Sequence, residues 1–355
     1  MKAPGTPYLV DVALNLTDCV FRGVDWKGRR VHVDSFDYVI RRAEEQNVRR
    51  MIVTGTCLTQ CLKAVRLCRR YPSFLRCTVG VHPAHCAEME RPLNWDEAVA
   101  EAMDDTSIQI PCPPSDECDG TTEWRHAEER LAKMVALVEE YRDIVVAVGE
   151  IGLDYAELSY SPRDIQKKFF IHQLRSLRVL RLPFILHSRD CGTDFVELLE
   201  EELKSWPDNL PFVGVVHSFN GPLEEQQRLL AIPGIYLSIN GSAFREKARA
   251  EQICSIPLER LMFETDAPWC DIRRQHYGAQ FVRTSFPTNR KSEPFDPLLC
   301  NERRNEPCHL RQVLEVYVGV LQAFRKESGG AAWQDVTEET VVEQVYKNCV
   351  KVFGL

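Results

Sequence analysis

The chain has 355 residues, of which 44% are hydrophobic and 27% charged, enough apolar material for one sizeable core, and a soluble globular protein is expected. No stretch approaches the ~18 apolar residues that a membrane span needs, and a formal net charge of −8 argues against long-range attraction to a polyanion. Fourteen cysteines are scattered with no CxxC pair, and the N-terminal MKAPGTPYLV lacks an apolar run of secretory length. These features point to reduced thiols and to the cytosol or nucleus.

In chain order, eight short apolar or β-branched runs alternate with longer amphipathic segments: 9–14, 50–54, 75–79, 145–148, 183–186, 213–216, 236–239 and 261–264. This is the rhythm of βα units, and eight is the number that closes a barrel, so the expected fold is α/β, a single-domain (β/α)8 TIM barrel over 1–355. A doubly wound open sheet would want a glycine-rich loop after the first strand, and DVALNLTD has no glycine. Between the runs, Asp164 opens a helix with Phe170, Leu174 and Leu177 at helical spacing, and a helix over 338–353 closes the chain. Two stretches break the pattern. Residues 104–123 are proline-rich and acidic and read as an exposed insertion. Residues 276–301 follow the last strand and read as an insertion over the barrel mouth. Seven Lys or Arg against four acids between 270 and 304 make that region a candidate basic rim on an acidic body.

What ends each run is more informative. The third leads into TVGVHPAHC, the fourth into AVGEIGLDY, the fifth into FILHSRD, the sixth into VVHSFNG and the eighth into FETDAPW. In a (β/α)8 barrel the carboxyl ends of the strands converge on one face, so Glu150, His187, His217 and Asp266 are expected to meet although they lie 37, 30 and 49 residues apart. Two imidazoles with two carboxylates form a mixed N/O set suited to a divalent cation, whereas without one the carboxylates would repel each other. Arg189, two residues past His187, and Arg304 with Asn305 in RRNEPCHL are expected to contact phosphate, because a guanidinium fork matches its oxygens. His82 in GVHP is assigned to phosphate contact or proton transfer, and His309, where a helix begins, to capping or packing.

These segments resemble the TatD deoxyribonucleases, most closely their eukaryotic branch, from DVALNLTD at 11 through GEIGLD, LHSRD, VVHSFNG and ETDAPW to KVFGL. The resemblance implies a metal-dependent hydrolase that cuts DNA from a 3′ end as an exonuclease. Its cofactor would be one or two divalent ions, magnesium first, with manganese or zinc as alternatives. It places the metal positions on Glu150, His187, His217 and Asp266. From the residues themselves, Asp266, Glu150 and His82 are expected to be catalytic and Arg189, Arg304, Asn305 and Asn15 to contact the substrate. Many family members open with Asp-x-His-x-His. Here Asp11 is followed by Ala13 and Asn15, residues that face the same way along a strand, so one site of a metal pair is weakened. Two other readings stay open: a hydrolase of another phosphoester, an ester or an amide, and a barrel that binds nucleic acid without turnover. No membrane contact or obligate protein partner is expected.

Overall fold

The computed structural model describes residues 7–112, 123–290, 293–327 and 336–355. Ten residues of the acidic insertion, 113–122, and Lys291 of the basic one lie outside them.

Eight strands form one sheet in chain order: β1 Leu9–Leu14, β2 Val48–Val53, β3 Leu75–Val79, β4 Val145–Asp154, β5 Phe184–Arg189, β6 Gly214–Val216, β7 Ile235–Ile239 and β8 Leu261–Phe263. Between and after them run α1 Phe36–Glu45, α2 Leu58–Arg70, α3 Trp95–Ala102, α4 Glu123–Glu140, α5 Arg163–Leu177, α6 Asp194–Lys204, α7 Leu223–Ala231, α8 Lys247–Ile253, α9 Leu310–Glu327 and α10 Glu338–Phe353. This is the expected (β/α)8 barrel fold. The strands are mostly apolar because helices cover them, and all six residues of β1 and all ten of β4 are buried.

The chain divides into two compact units. The first comprises residues 1–52, 218–220 and 237–355. In it the first and last strands are joined by backbone bonds, from Asp266 N–H to the Ala13 carbonyl (3.0 Å) and from Asn15 N–H to the Ala267 carbonyl (2.7 Å). The Asn348 amide of α10 donates to the carbonyls of Leu258 and Leu261, at 2.8 Å each, which fastens that helix to β8. The segment after β8 is ordered by short devices. A 3-10 turn at Tyr277–Phe281 is followed by a parallel pair of two-residue strands, β9 Thr288–Asn289 and β10 Cys300–Asn301. Three of its expected cations pair with acids: Arg273 with Asp271, Arg283 with Glu338 and Arg290 with Glu293.

The second unit comprises residues 53–217 and 221–236, with β3 to β6 in parallel pairs. Helix α5 carries two buried glutamines seven residues apart, so both face the sheet. Gln173 brackets Val81 just past β3, accepting from its N–H and donating to its carbonyl at 2.8 and 3.0 Å. Gln166 does the same for Asp154 at the end of β4, at 2.7 and 2.8 Å. Residues 104–112 of the acidic insertion meet α2 through a Lys63 bond to Ser107 and an Arg66–Asp105 ion pair.

Candidate metal centre and its loops

Strand β4 builds the second unit's polar cluster. It continues through Gly149 and Gly152 to Asp154, so Glu150 and Asp154, four residues apart, share one face. Gly152 pairs with His187 of β5 and has a φ of +150°, and a Cβ there would lie 2.0 Å from the His187 carbonyl oxygen. Only glycine permits this approach, and the approach sets where the His187 ring begins.

The cluster is tight. Glu150 Oε1 lies 2.5 Å from His187 Nδ1 and 2.6 Å from His217 Nε2, and the two ring nitrogens are 2.9 Å apart. The other nitrogen of His187, Nε2, faces Asp154 Oδ2 at 3.2 Å. His82 caps the turn after β3 by accepting from Ala84 N–H at its Nδ1 (3.1 Å), which leaves the ring proton on Nε2, 3.6 Å from Glu150. Arg189 at the end of β5 is 53% exposed at its side chain, with Nη1 3.5 Å from Asp154. The electrostatics follow from this packing. Burial opposes charge on Glu150, but His217, His82 and His187 outweigh it and hold its carboxyl well below the usual range. Burial also opposes charge on His187, yet its bonds to Asp154 and Glu150 hold its pKa up at about 8. His82, buried and beside His187, is pushed down to about 3.

The donor set suits a divalent cation. If both nitrogens that face Glu150 carry protons, two donors confront each other at 2.9 Å, and if either loses its proton one contact to the carboxylate is lost. A cation among three lone-pair donors removes the conflict, and Glu150, His187 and His217 offer ligand atoms all within 4.8 Å of one another. His82, Asp154 and His187 form an overlapping group that shares the His187 ring.

The first unit carries the other expected residues. Asp266 follows β8 with a left-handed φ of 52°, as do Asp190 after β5 (53°) and Ser218 after β6 (51°) in their own loops. The Asn15 amide donates to Asp266 Oδ1 at 3.1 Å, and the Cys270 thiol lies 3.2 Å from Oδ2. Asp11, on the same face of β1, is wholly buried and accepts from Thr265 N–H (2.9 Å) and its hydroxyl (2.5 Å), so it anchors the loop that bears Asp266. Arg304 and Asn305 were expected on phosphate, but both are buried and bonded within the fold. Arg304 is 7% exposed and donates to Glu306 Oε1 (2.7 Å) and to the Val20 carbonyl (2.8 Å). Asn305 donates to the carbonyls of Thr265 and Trp269 (2.8 and 2.6 Å) and accepts from Glu306 N–H (3.1 Å). It splints the Asp266 loop. His309 joins Glu306 in a capping box ahead of α9.

Sequence reasoning missed Asp154. The signal was its even spacing from Glu150, hidden because the fourth run was ended at Val148.

A model of the family described as TatD related DNase matches residues 29–354. The chain belongs to the TatD-related DNase family. It is similar to the protein named Deoxyribonuclease Tat-D of Schizosaccharomyces pombe, 34% identical over 350 residues, 97% of this chain and 95% of that one. It is 29% identical over 341 residues to the protein named 3′-5′ ssDNA/RNA exonuclease TatD of Shigella flexneri, covering 95% and 98% of the two. Among solved structures, an uncharacterized amidohydrolase of Saccharomyces cerevisiae superposes with a TM-score of 0.79 at 26% identity, covering 98% of this chain and all of that one.

Proposed function

We propose that this TatD-family protein is a metal-dependent deoxyribonuclease that removes nucleotides from the 3′ end of DNA. The observation that carries the proposal is the buried triangle of Glu150, His187 and His217, three ligand atoms in mutual contact that a divalent cation reconciles. The names of relatives that match nearly the whole chain support DNA as substrate and the 3′ polarity. Glu150, His187 and His217 would hold the ion, with Asp266 as a fourth donor on the strength of its strand-end motif. When bound, a divalent cation supplies Lewis-acid polarisation of a phosphate oxygen and of water.

The side chains do the remaining work. Asp154 fixes the ring plane of His187 through Nε2, the part commonly played by a carboxylate behind a metal-binding histidine. Asp266, steadied by Asn15, takes the proton of the attacking water as its oxygen bonds to phosphorus and the bond from phosphorus to the leaving sugar oxygen breaks, that oxygen taking a proton from solvent. His82, neutral and protonated at Nε2, donates a hydrogen bond to the phosphate and does not store a proton. Arg189 neutralises charge that develops on the phosphate oxygens.

The test is a time course on single- and double-stranded oligonucleotides labelled at either end, with magnesium, manganese, zinc or chelator, run beside simple ester substrates. Loss of label from the 3′ end, abolished by chelator and by Asp266→Asn, is the expected result. Undiminished cutting by Asp266→Asn overturns its assignment as base. Turnover of esters without DNA cutting overturns the substrate.

A further inference from the structure

Two tryptophans of the first unit have no part in the chemistry above. Trp26, in the loop after β1, and Trp269, in the loop after β8, are stacked with ring centroids 4.7 Å apart and planes 16° from parallel. They are 47% and 46% exposed. An indole pair that served only packing would be covered, since its area is worth most when removed from water.

The Trp26 ring and the Trp269 backbone are each held by polar bonds within their loops. Trp26 Nε1 donates to Asp18 Oδ2 at 3.1 Å, and Asp18 is itself fixed as the cap of the turn at Cys19–Arg22. Trp269 closes the turn that begins at Asp266, its N–H donating to the Asp266 carbonyl at 2.9 Å, and its own carbonyl accepts from the buried Asn305 amide. The ring is therefore tied, within a single turn, to the carboxylate proposed as base. Exposed cations follow both tryptophans in sequence, Lys27, Arg29 and Arg30 after the first and Arg273 and Arg274 after the second, with Arg29 paired to Asp25 and Arg273 to Asp271.

From this arrangement we infer that Trp26 and Trp269 form a stacking platform for an unpaired nucleobase at the end of the substrate, with the flanking cations on its backbone. Aromatic faces set among cations are the usual means of gripping single strands without reading sequence, because every base presents a π-face. In a duplex those faces are already stacked on neighbours, so the platform selects a frayed or single-stranded end. The inference rests on the reading of this protein as a nuclease and names the side chains by which that site would hold an unpaired base.

The experiment measures binding of a fluorescent phosphorothioate-linked oligonucleotide, which resists cutting, to the full-length protein in magnesium. The probe is used single-stranded, as a blunt duplex, and with an abasic sugar at successive 3′-terminal positions. Trp269→Ala and Trp26→Ala are each expected to weaken single-strand binding roughly 5- to 150-fold, with Trp→Phe at either position recovering most of it. One abasic position should weaken the parent comparably and the Ala variants no further. If the Ala variants discriminate intact from abasic strands by the parent's ratio, the rings meet no base and the inference is wrong. Should Trp269→Ala disturb the Asp266 turn, Trp26→Ala, in a different loop, decides the matter alone. A parent that senses the abasic position but cuts no DNA removes the proposed activity and leaves the platform. A parent that cuts DNA while its Ala variants bind unchanged does the reverse.

Discussion

Replacing Arg304 by Met separates a fold-holding guanidinium from one that grips phosphate. Its side chain loses a bond to Glu306 (2.7 Å), a bond to the Val20 carbonyl (2.8 Å) and a position over the Phe21 ring, 5.2 Å from the centroid. Glu306 stays buried with Arg42, whose Nε and Nη2 lie 2.9 and 2.8 Å from Oε2, so one of two compensating cations is gone. Truncating one side of a buried pair of this kind costs about 3–5 kcal/mol. Spread over 355 residues at an unfolding entropy of ~2 cal/mol/K per residue, that is a fall in Tm of about 4–7 °C. Thermal and urea unfolding measure the fall, and KM for a labelled oligonucleotide, taken well below the transition, should stay within about twofold of the parent. An unchanged Tm with a KM raised tenfold or more would refute the reasoning and return Arg304 to the substrate.

Glu150→Gln keeps the shape of the side chain and removes its charge, and should lower affinity for divalent metal by more than ~10-fold, read by calorimetric titration. Gly152→Ala would place a methyl 2.0 Å from the His187 carbonyl oxygen at a φ of +150°. It should abolish metal binding with the β4–β5 register, and a folded Gly152→Ala protein that binds metal as the parent does would contradict the geometry. The Glu306 carboxyl is buried, which opposes ionisation, but Arg304 and Arg42 outweigh burial and hold its pKa below the ordinary 4.5. A lowered carboxylate pKa stabilises the fold above the unfolded value and ceases to do so as pH falls through the folded one. The Tm gap between the parent and Glu306→Gln should therefore be widest above about pH 5 and shrink in more acidic buffer.

The strands were legible because parallel strands covered by helices are apolar on both faces, and β1 and β3 have the limits that their apolar runs imply. Strand β4 was not read to its end. Glycines at 149 and 152 look like breakers in a sequence, whereas here they admit close approach of β5, and the strand continues to Asp154. Glu150, His187 and His217 were legible for a related reason, since a polar residue that ends an apolar strand has few places to go except the mouth of the sheet. Arg304 shows where such reading stops. A guanidinium beside a strand-end motif looks the same in sequence whether it faces phosphate or Glu306, and only the packing of Phe21, Val20 and Arg42 around it decides. The stacked tryptophans were invisible for the same cause. Trp26 and Trp269 are 243 residues apart, and although Trp269 ends the ETDAPW motif, nothing in the sequence pairs it with Trp26.

Asp190, Ser218 and Asp266 adopt a backbone conformation that disfavours any residue with a side chain, by about 1 kcal/mol each. Glycine would relieve that penalty, so a campaign that selected variants for heat tolerance alone would accept it at these turns. The survivors would be sturdier and poorer catalysts, because these turns adjoin His217, Arg189 and the proposed base itself.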